Sequence, residues 1–102
     1  MTVTFVPETF EPHVGSKFSA EAGPARLEMM LTRVERGRSS PGLLQFSLFF
    51  SGALEQKIEQ QIVRLGHSSI GEFDLFLVPI AREGNCIVYQ AVFSVIDAVE
   101  SK

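Results

Sequence analysis

The chain has 102 residues, of which 45% are hydrophobic, with nine phenylalanines and no tryptophan. This composition is typical of a folded domain with its own core and excludes a disordered chain, which would have few hydrophobic residues and a high net charge. Nine basic against twelve acidic residues give a formal net charge of −3. Because nucleic acids and anionic lipids attract a basic excess, this balance disfavours general binding to nucleic acid or to a membrane surface.

The single cysteine and the N-terminal sequence bear on the cellular compartment. Cys86 has no cysteine partner in the chain, so no intrachain disulfide can form, and this usage suits a reducing cytosol. Its place within an apolar run predicts a small, buried side chain. Residues 1–30 lack the basic start and apolar run of a signal peptide, and no apolar run approaches the roughly 20 residues of a membrane helix. We therefore expect a cytoplasmic protein.

The first part of the chain predicts two short strands separated by a helical turn. Residues 2–6 form a β-prone run that a proline ends. One helical turn at most is expected around Thr9, since Pro12 biases the residue before it away from the helical region. Lys17–Ala22 alternates between polar and apolar side chains, which predicts the second strand.

Residues 26–35 fit two kinds of element. As a strand, they place Leu27, Met29 and Leu31 on one face, in alternation with polar side chains. As a helix, they contain many good helix formers, but their apolar stripe is narrow and no N-cap residue precedes them. We favour the strand. The glycine and serine residues of 37–42 then predict an exposed loop.

Residues 44–51 carry the clearest period-2 pattern in the chain, which predicts a strand that ends at Gly52. Phe49 stands on the polar face of this strand, so it is either covered by another element or part of a partner surface. Residues 53–61 predict a loop with a helical turn. Residues 62–68 predict a further strand.

Residues 71–80 and 86–95 are β-rich runs joined by the turn residues 82–85, which predicts a β-hairpin. Pro79 cannot donate a ladder hydrogen bond and is expected at the end of its strand or at an edge. Seven short runs with little helix predict a single all-β domain over residues 1–102. The expected architecture is a small antiparallel barrel or sandwich of about six to seven short strands, with at most one or two helical turns.

The alternating faces of the predicted strands also assign buried and exposed side chains. Inward-facing positions should be apolar and outward-facing positions polar. The predicted core includes Phe46, Leu48, Phe73, Leu75 and Phe93. The predicted exposed residues include Gln45, Ser47, Glu72 and Asp74.

The sequence predicts no catalytic residue, cofactor site or metal site. His13 and His67 are the only histidines, and neither has a cysteine or a second histidine at ligand spacing. Motifs for a serine nucleophile elbow, a Walker loop or a dinucleotide fingerprint are absent. Glu72 and Asp74 share one face of a predicted strand, but their alternation with apolar residues favours a solvent-exposed face over a paired-carboxylate site.

A local basic segment offers a candidate contact site. Residues 26–38 carry four arginines against two glutamates, whereas the remainder of the chain is acidic. The segment is either a solvated strand end and loop or a site for phosphate or an acidic partner. Three arginines of this segment and the aromatic residue on the polar face of the next strand are the candidate interface residues: Phe49, Arg33, Arg36 and Arg38.

Several blocks of the sequence resemble a family of small bacterial proteins known as a domain of unknown function, DUF6916. Residues 10–18, 46–52 and 64–67 contribute to the likeness. The more specific blocks are Phe-x-Leu-Phe-Leu-Val-Pro-Ile at residues 73–80 and Tyr-x-Ala-Val-Phe at residues 89–93. The likeness spans nearly the whole chain, but its residues are of core and turn types, so it implies a fold and no catalytic positions. Proteins of this family accompany phage-tail-like and collar-domain proteins, and the resemblance therefore implies a structural or assembly role.

Three classes of function follow. We favour a non-enzymatic structural or assembly module that acts through protein contacts, as a homo-oligomer or a complex subunit, within a phage-tail-like or filament assembly. The alternative is a small-ligand-binding barrel of the carbohydrate type, although the lack of tryptophan and the single Tyr89 count against sugar stacking. An enzyme is the least favoured class.

Overall fold

The computed structural model describes residues 3–37 and 43–96, which form six strands and little helix. A helical turn, α1, covers Pro7–Phe10, and 3₁₀ turns cover Glu11–His13 and Leu54–Gln56. The strands are β1 (Lys17–Ala22), β2 (Ala25–Arg36), β3 (Leu43–Ala53), β4 (Gln61–His67), β5 (Gly71–Glu83) and β6 (Cys86–Ile96). The all-β prediction is confirmed. Residues 26–35, which fitted either a strand or a helix, form a strand as predicted. Of the predicted loop 37–42, residues 38–42 lie outside the described residues.

The strands close into a barrel in the order β1-β2-β3-β6-β5-β4. All neighbouring strands are antiparallel. The ring closes where β1 meets β4, through three residue pairs centred on Ala20 and Leu65. Closure removes most of the free edges that a sheet so rich in phenylalanine would otherwise expose. The architecture is therefore the barrel rather than the sandwich.

Two hairpin turns depend on glycine. Gly23 has a φ of +59° and Gly84 a φ of +61°, and each is the first of two residues between paired strand ends. A positive φ at that position and a negative one at the next are features of a type II′ turn, which suits the twist of the strands and which glycine adopts without strain. The predicted hairpin of β5 and β6 is confirmed, with a turn of two residues.

The inward faces of the strands form a core rich in aromatic side chains. Phe93 is half-buried and stacks on Phe46, with ring centroids 4.5 Å apart. Tyr89, Phe18 and Phe50 are fully buried in the same cluster. The other predicted core residues are buried as well: Phe46, Leu48, Phe73 and Leu75.

The predicted exposed residues divide according to their strands. Glu72 and Asp74 on β5 are exposed, as predicted. Gln45 and Ser47 on β3 are only half-buried rather than exposed. Because β3 lies between β2 and β6, side chains from both neighbours cover part of its outer surface.

Two predicted element boundaries are wrong. The described part of the predicted run 2–6 is not a strand but an extended lead into α1. β3 does not end at Gly52 but continues to Ala53. A Cβ at position 52 would lie 3.2 Å from the Tyr89 ring. Glycine in this strand therefore permits a close approach of an aromatic ring rather than a turn.

β5 changes its partner along its length. Residues 71–77 pair with β4, and residues 78–83 pair with β6. Pro79 therefore has no strand on its β4 side, so the prediction that it lies at an edge is confirmed on that side. The strand continues past Pro79 with a shift of register before Ala81, which is a β-bulge in which Ile80 is the extra residue.

Cys86 is exposed, which contradicts the prediction of a buried side chain. It is the first residue of β6, and the buried positions of that strand begin with Ile87 and continue with Tyr89 and Ala91. Because side chains alternate along a strand, inward-facing Ile87 places Cys86 on the outside.

Replacing Phe46 by alanine should lower the free energy of unfolding by about 3–5 kcal/mol, because a fully buried aromatic ring is removed. Urea denaturation measures the change. Phe76→Ala is the matched control, since Phe76 is 49% exposed and loses less buried surface. Equal effects of the two changes would show that the faces of the strands are assigned wrongly.

Candidate protein-contact surface

An open seam separates the first half of β5 from the second half of β6. The last residue pair between the two strands is Val78↔Gln90, and no pair among the described residues joins residues 71–77 to residues 91–94. On their other sides these edges are paired with β4 and β3. Within residues 3–37 and 43–96, the backbone groups that face the open seam therefore have no strand partner, which is the property that makes a strand edge a contact site.

The N-terminal residues fill the inner side of the open seam. The centroid of the Phe5 ring lies 6.1 Å from that of Phe73 on β5 and 5.6 Å from that of Phe93 on β6. Phe5 also stacks at 6.4 Å on Phe10, whose side chain is fully buried. Aromatic contacts therefore link the two strands where ladder hydrogen bonds do not.

Three large apolar side chains lie side by side on the outer surface at the open seam. Ile62, Phe76 and Val92 are 59%, 49% and 70% exposed. Ile62 on β4 and Phe76 on β5 are direct cross-strand partners, and Phe76 and Val92 both line a cleft of about 470 Å³ that follows the open seam. We call these three residues the apolar stripe. Contiguous exposed apolar side chains mark contact surfaces, whereas isolated ones need no explanation.

Charged residues next to the apolar stripe pair with one another. Arg64 Nε donates a hydrogen bond to Asp74 Oδ1 at 2.9 Å, and Arg64 Nη1 lies 3.9 Å from Glu72 Oε1. The hydrogen bond to Asp74 raises the pKa of Arg64 above its ordinary value. Glu72 and Asp74 thus share an arginine on the surface. Asp74 lines the cleft, but both carboxylates are exposed, whereas a catalytic acid is kept protonated by burial among apolar groups.

Phe49, a predicted interface residue, is buried although it faces outward from β3. It is only 4% exposed, and the Arg33 guanidinium lies over its ring, with Cζ 4.1 Å from the ring centroid. A shift of register in β2 between Leu31 and Arg33 accompanies this contact, and Thr32 Oγ1 donates to the Phe49 carbonyl at 3.1 Å. Phe49 is therefore covered by another element, the first of the two alternatives, and does not present a free surface.

Arg36 fastens the N-terminal turns to the barrel. Its Nε and Nη2 donate to the two carboxylate oxygens of Glu11 at 3.0 Å each, and Nη2 also donates to Glu8 at 3.3 Å. The hydrogen bonds to Glu11 raise the pKa of Arg36 above its ordinary value. Arg33 and Arg26 each lie within 4.0 Å of a glutamate carboxylate as well. Ion pairs thus occupy the described part of the basic segment, while Arg38 lies outside the described residues.

His13 and His67 meet at one end of the barrel, with ring centroids 4.6 Å apart. The Ser69 backbone N–H donates to His67 Nδ1 at 3.0 Å, so the proton of neutral His67 is on Nε2. Nε2–H then donates to Ser16 Oγ at 3.1 Å, and the Ser16 hydroxyl donates to the His13 carbonyl. We call His13, His67 and Ser16 the histidine cluster.

The histidine cluster has the residues of a serine–histidine pair but not its proton arrangement. In a catalytic pair, Nε2 accepts the serine proton while Nδ1–H donates to another group. Here Nδ1 accepts a hydrogen bond and Nε2 carries the proton, so His67 in this state cannot deprotonate Ser16. Among residues 3–37 and 43–96, no three histidine, cysteine, aspartate or glutamate side chains are grouped to hold a metal ion. No helix in the same ranges is long and apolar enough to cross a membrane.

A comparison with models of protein families assigns the chain to a family. A model described as a domain of unknown function, DUF6916, matches residues 5–93. The chain belongs to this family. No curated protein and no solved structure matches it. The matched range includes residues 71–77 and 91–93 of the open seam and all three residues of the apolar stripe, so these residues lie within the DUF6916 domain.

Sequence reasoning missed the surface features of this DUF6916 domain for two different reasons. The apolar stripe had a signal, since the inward-facing Val63 places Ile62 outward and the inward-facing Leu75 and Leu77 place Phe76 outward. The contact of His13 with His67 had no local signal, because it arises only when the closed barrel brings the end of β4 to the N-terminal turns.

Replacing Phe49 by serine should lower the free energy of unfolding by about 3 kcal/mol or more, because a buried ring is lost and Arg33 loses its contact with the ring face. Urea denaturation of the variant measures this change. Ser51→Ala, at the next outward-facing position of β3, is the control and should change stability little. A loss below about 0.5 kcal/mol, as at an ordinary surface position, would contradict the burial of Phe49.

Proposed function

We propose that this DUF6916 protein is a non-enzymatic structural or assembly module that acts through protein–protein contacts. The observation that carries the proposal is the apolar stripe beside two unpaired strand edges. Natural proteins usually protect such edges with charged residues, prolines or a covering element. Residues 91–94 of β6 have the sequence Ala-Val-Phe-Ser, which contains none of these protecting residues.

The occupant that we propose for this surface is a second copy of the same chain. A strand edge is self-complementary, since it can pair antiparallel with its own copy about a two-fold axis, and such a contact closes after two subunits. Residues 91–94 carry no charge, so the paired edges would place no like charges opposite each other. The charged neighbours Glu72 and Asp74 are already paired with Arg64.

The apolar stripe would supply the hydrophobic part of the same contact. Val92 lies on the β6 edge itself and is the most exposed of the three side chains, at 70%. Phe76 and Ile62 continue the apolar surface across β5 and β4. Burial of apolar surface contributes roughly 25 cal/mol per Å², so the removal of these side chains from water would favour association.

We further propose a phage-tail-like or filament assembly as the setting in which this contact is used. The support is the sequence likeness to proteins that accompany tail and collar proteins, not the geometry of the barrel. In such a setting the barrel would serve as a small rigid unit whose surface, rather than an active site, carries the function.

The carbohydrate-binding alternative has less support. The interior of the barrel is filled by aliphatic and aromatic side chains, and Tyr89 is fully buried among them. The Tyr89 hydroxyl accepts a hydrogen bond from the Ile58 N–H at 3.0 Å. The single tyrosine is therefore a structural residue, and its ring is not available for stacking on a sugar.

Replacing Val92 by lysine should abolish or strongly weaken self-association while the barrel stays folded, because a charge on the free β6 edge opposes strand pairing. Sedimentation velocity over a range of concentrations measures the association. Ile80→Lys is the matched control, since Ile80 is an exposed apolar side chain on β5, 47% exposed, that lies outside the apolar stripe.

A wild-type protein that sediments as a monomer at high concentration would contradict self-association. A dimer that Val92→Lys leaves intact would place the contact elsewhere on the molecule. Binding of a different protein through the apolar stripe, in place of a second copy, would likewise overturn the proposed occupant.

A further inference from the structure

Residues 3–13 form a strap across the open end of the barrel, and we call them the N-terminal strap. Their described backbone hydrogen bonds are local, such as those from Val6 N to the Thr4 carbonyl and from Thr9 N to the Val6 carbonyl. No ladder pair among the described residues joins the strap to a strand. Side chains therefore hold residues 3–13 in place: the aromatic contacts of Phe5 and Phe10, the ion pairs of Arg36, and the histidine cluster. Directly after the strap, the Gly15 N–H donates to the Leu31 carbonyl at 2.7 Å, which fixes the chain to β2.

The histidine cluster is closed only when His67 is neutral. A second proton on the ring would go to Nδ1, where it would face the Ser69 N–H, so that two donors would oppose each other at 3.0 Å. Phe18 is fully buried and its ring centroid lies 4.6 Å from that of His67, which keeps water from this side of the imidazole. Burial lowers the pKa of His67 below its ordinary value, and the charge of His13 lowers it further.

Carboxylates on the surrounding elements do not offset a charge on His67. The elements packed around it are the 3₁₀ turn of the strap, β1 and β5. Each of them carries charged side chains near this end of the barrel, but these groups have partners of their own. The pairs are Glu11 with Arg36, Lys17 with Glu28, and Glu72 with Arg64.

We propose that the histidine cluster is an acid-sensitive latch, which holds the N-terminal strap on the barrel at neutral pH and releases it when His67 becomes charged. Protonation of His67 would break the hydrogen bond from Ser69 and place a positive charge on a ring whose centroid lies 4.6 Å from that of His13. The strap would then lose one of its fastenings, while Arg36 would still bind Glu8 and Glu11.

The sign of the pH dependence follows from the environment of His67. Its pKa is lower with the strap closed than in an open, solvated strap, so the open form binds more protons. The closed form is therefore fully favoured above the ordinary histidine pKa of about 6.5 and loses stability relative to the open form as the pH falls below it. One proton changes this equilibrium by at most about tenfold per pH unit.

Release would uncover aromatic surface that is separate from the apolar stripe. Phe5 and Phe10 lie against Phe73 from the inner side, whereas the apolar stripe lies on the outer surface. The latch is therefore independent of the proposed self-association. It adds a condition, acidic pH, under which the open seam loses its inner covering.

Amide hydrogen exchange followed by mass spectrometry tests the latch on the full chain. Peptides from residues 3–13 are compared at pH 7.5 and pH 5.5, and each rate is divided by the intrinsic exchange rate at that pH. In the wild type, protection of these peptides should fall severalfold, up to about tenfold, at the lower pH. Peptides from β3 should keep their protection, since that strand is paired on both sides.

Three variants separate the latch from a general loss of stability. His67→Gln removes the ring whose protonation opens the latch, and His13→Gln removes the ring that contacts it. The ratio of protection between the two pH values should fall toward one in the first variant and be reduced in the second. Arg36→Gln is the matched control, because it loosens the N-terminal strap by the same factor at both pH values while the carboxylates stay charged. If His67→Gln unfolds, half-buried His13 still provides the test.

Two outcomes would overturn the latch. One is a wild-type strap whose corrected protection is the same at pH 7.5 and pH 5.5. The other is a His13→Gln/His67→Gln double variant that retains the wild-type dependence on pH, which would assign the effect to other groups.

Discussion

β5 pairs with β4 along its first half and with β6 along its second half, and the rest of the structure depends on this change of partner at Val78. The first half of β5 is paired with β4, which is paired in turn with β1, while the second half of β6 is paired with β3. The two strands therefore diverge beyond the pair Val78↔Gln90, and the β-bulge after Pro79 lies next to the point of divergence, where bulges bend strands. A ring of six strands can close with staggered neighbours, but here the stagger leaves the open seam.

The two sides of the open seam are completed in different ways. On the inner side, Phe5 of the N-terminal strap bridges Phe73 and Phe93, and within the described part of the chain the strap forms no ladder pair with a strand. On the outer side, the apolar stripe is exposed next to backbone groups that have no strand partner among the described residues. The N-terminal strap covers the inner side of the open seam through side-chain contacts, whereas the outer side is exposed. For this reason the proposed latch and the proposed contact both lie at the open seam.

The local features of this fold could be predicted, and the features that depend on closure could not. Alternation assigned Phe46, Leu48, Phe73 and Leu75 to the core, and glycine-containing turns located the hairpins. The prediction for Cys86 was wrong because it rested on the apolar run around the residue, whereas alternation places Cys86 on the face opposite Ile87. The cover of Arg33 over Phe49 and the contact of His13 with His67 join residues distant in sequence, and only the strand order places them together.

The central claim is that the free edge of β6 at the open seam is a contact between two copies of the chain. Residue-resolved amide hydrogen exchange at increasing protein concentration tests it most directly. The amides of residues 91–94 that do not bond to β3 should exchange quickly in dilute protein and more slowly in concentrated protein. The amides of Ile87 and Tyr89, where β6 is paired on both sides, should not change. Exchange at residues 91–94 that is the same at every concentration would contradict the claim.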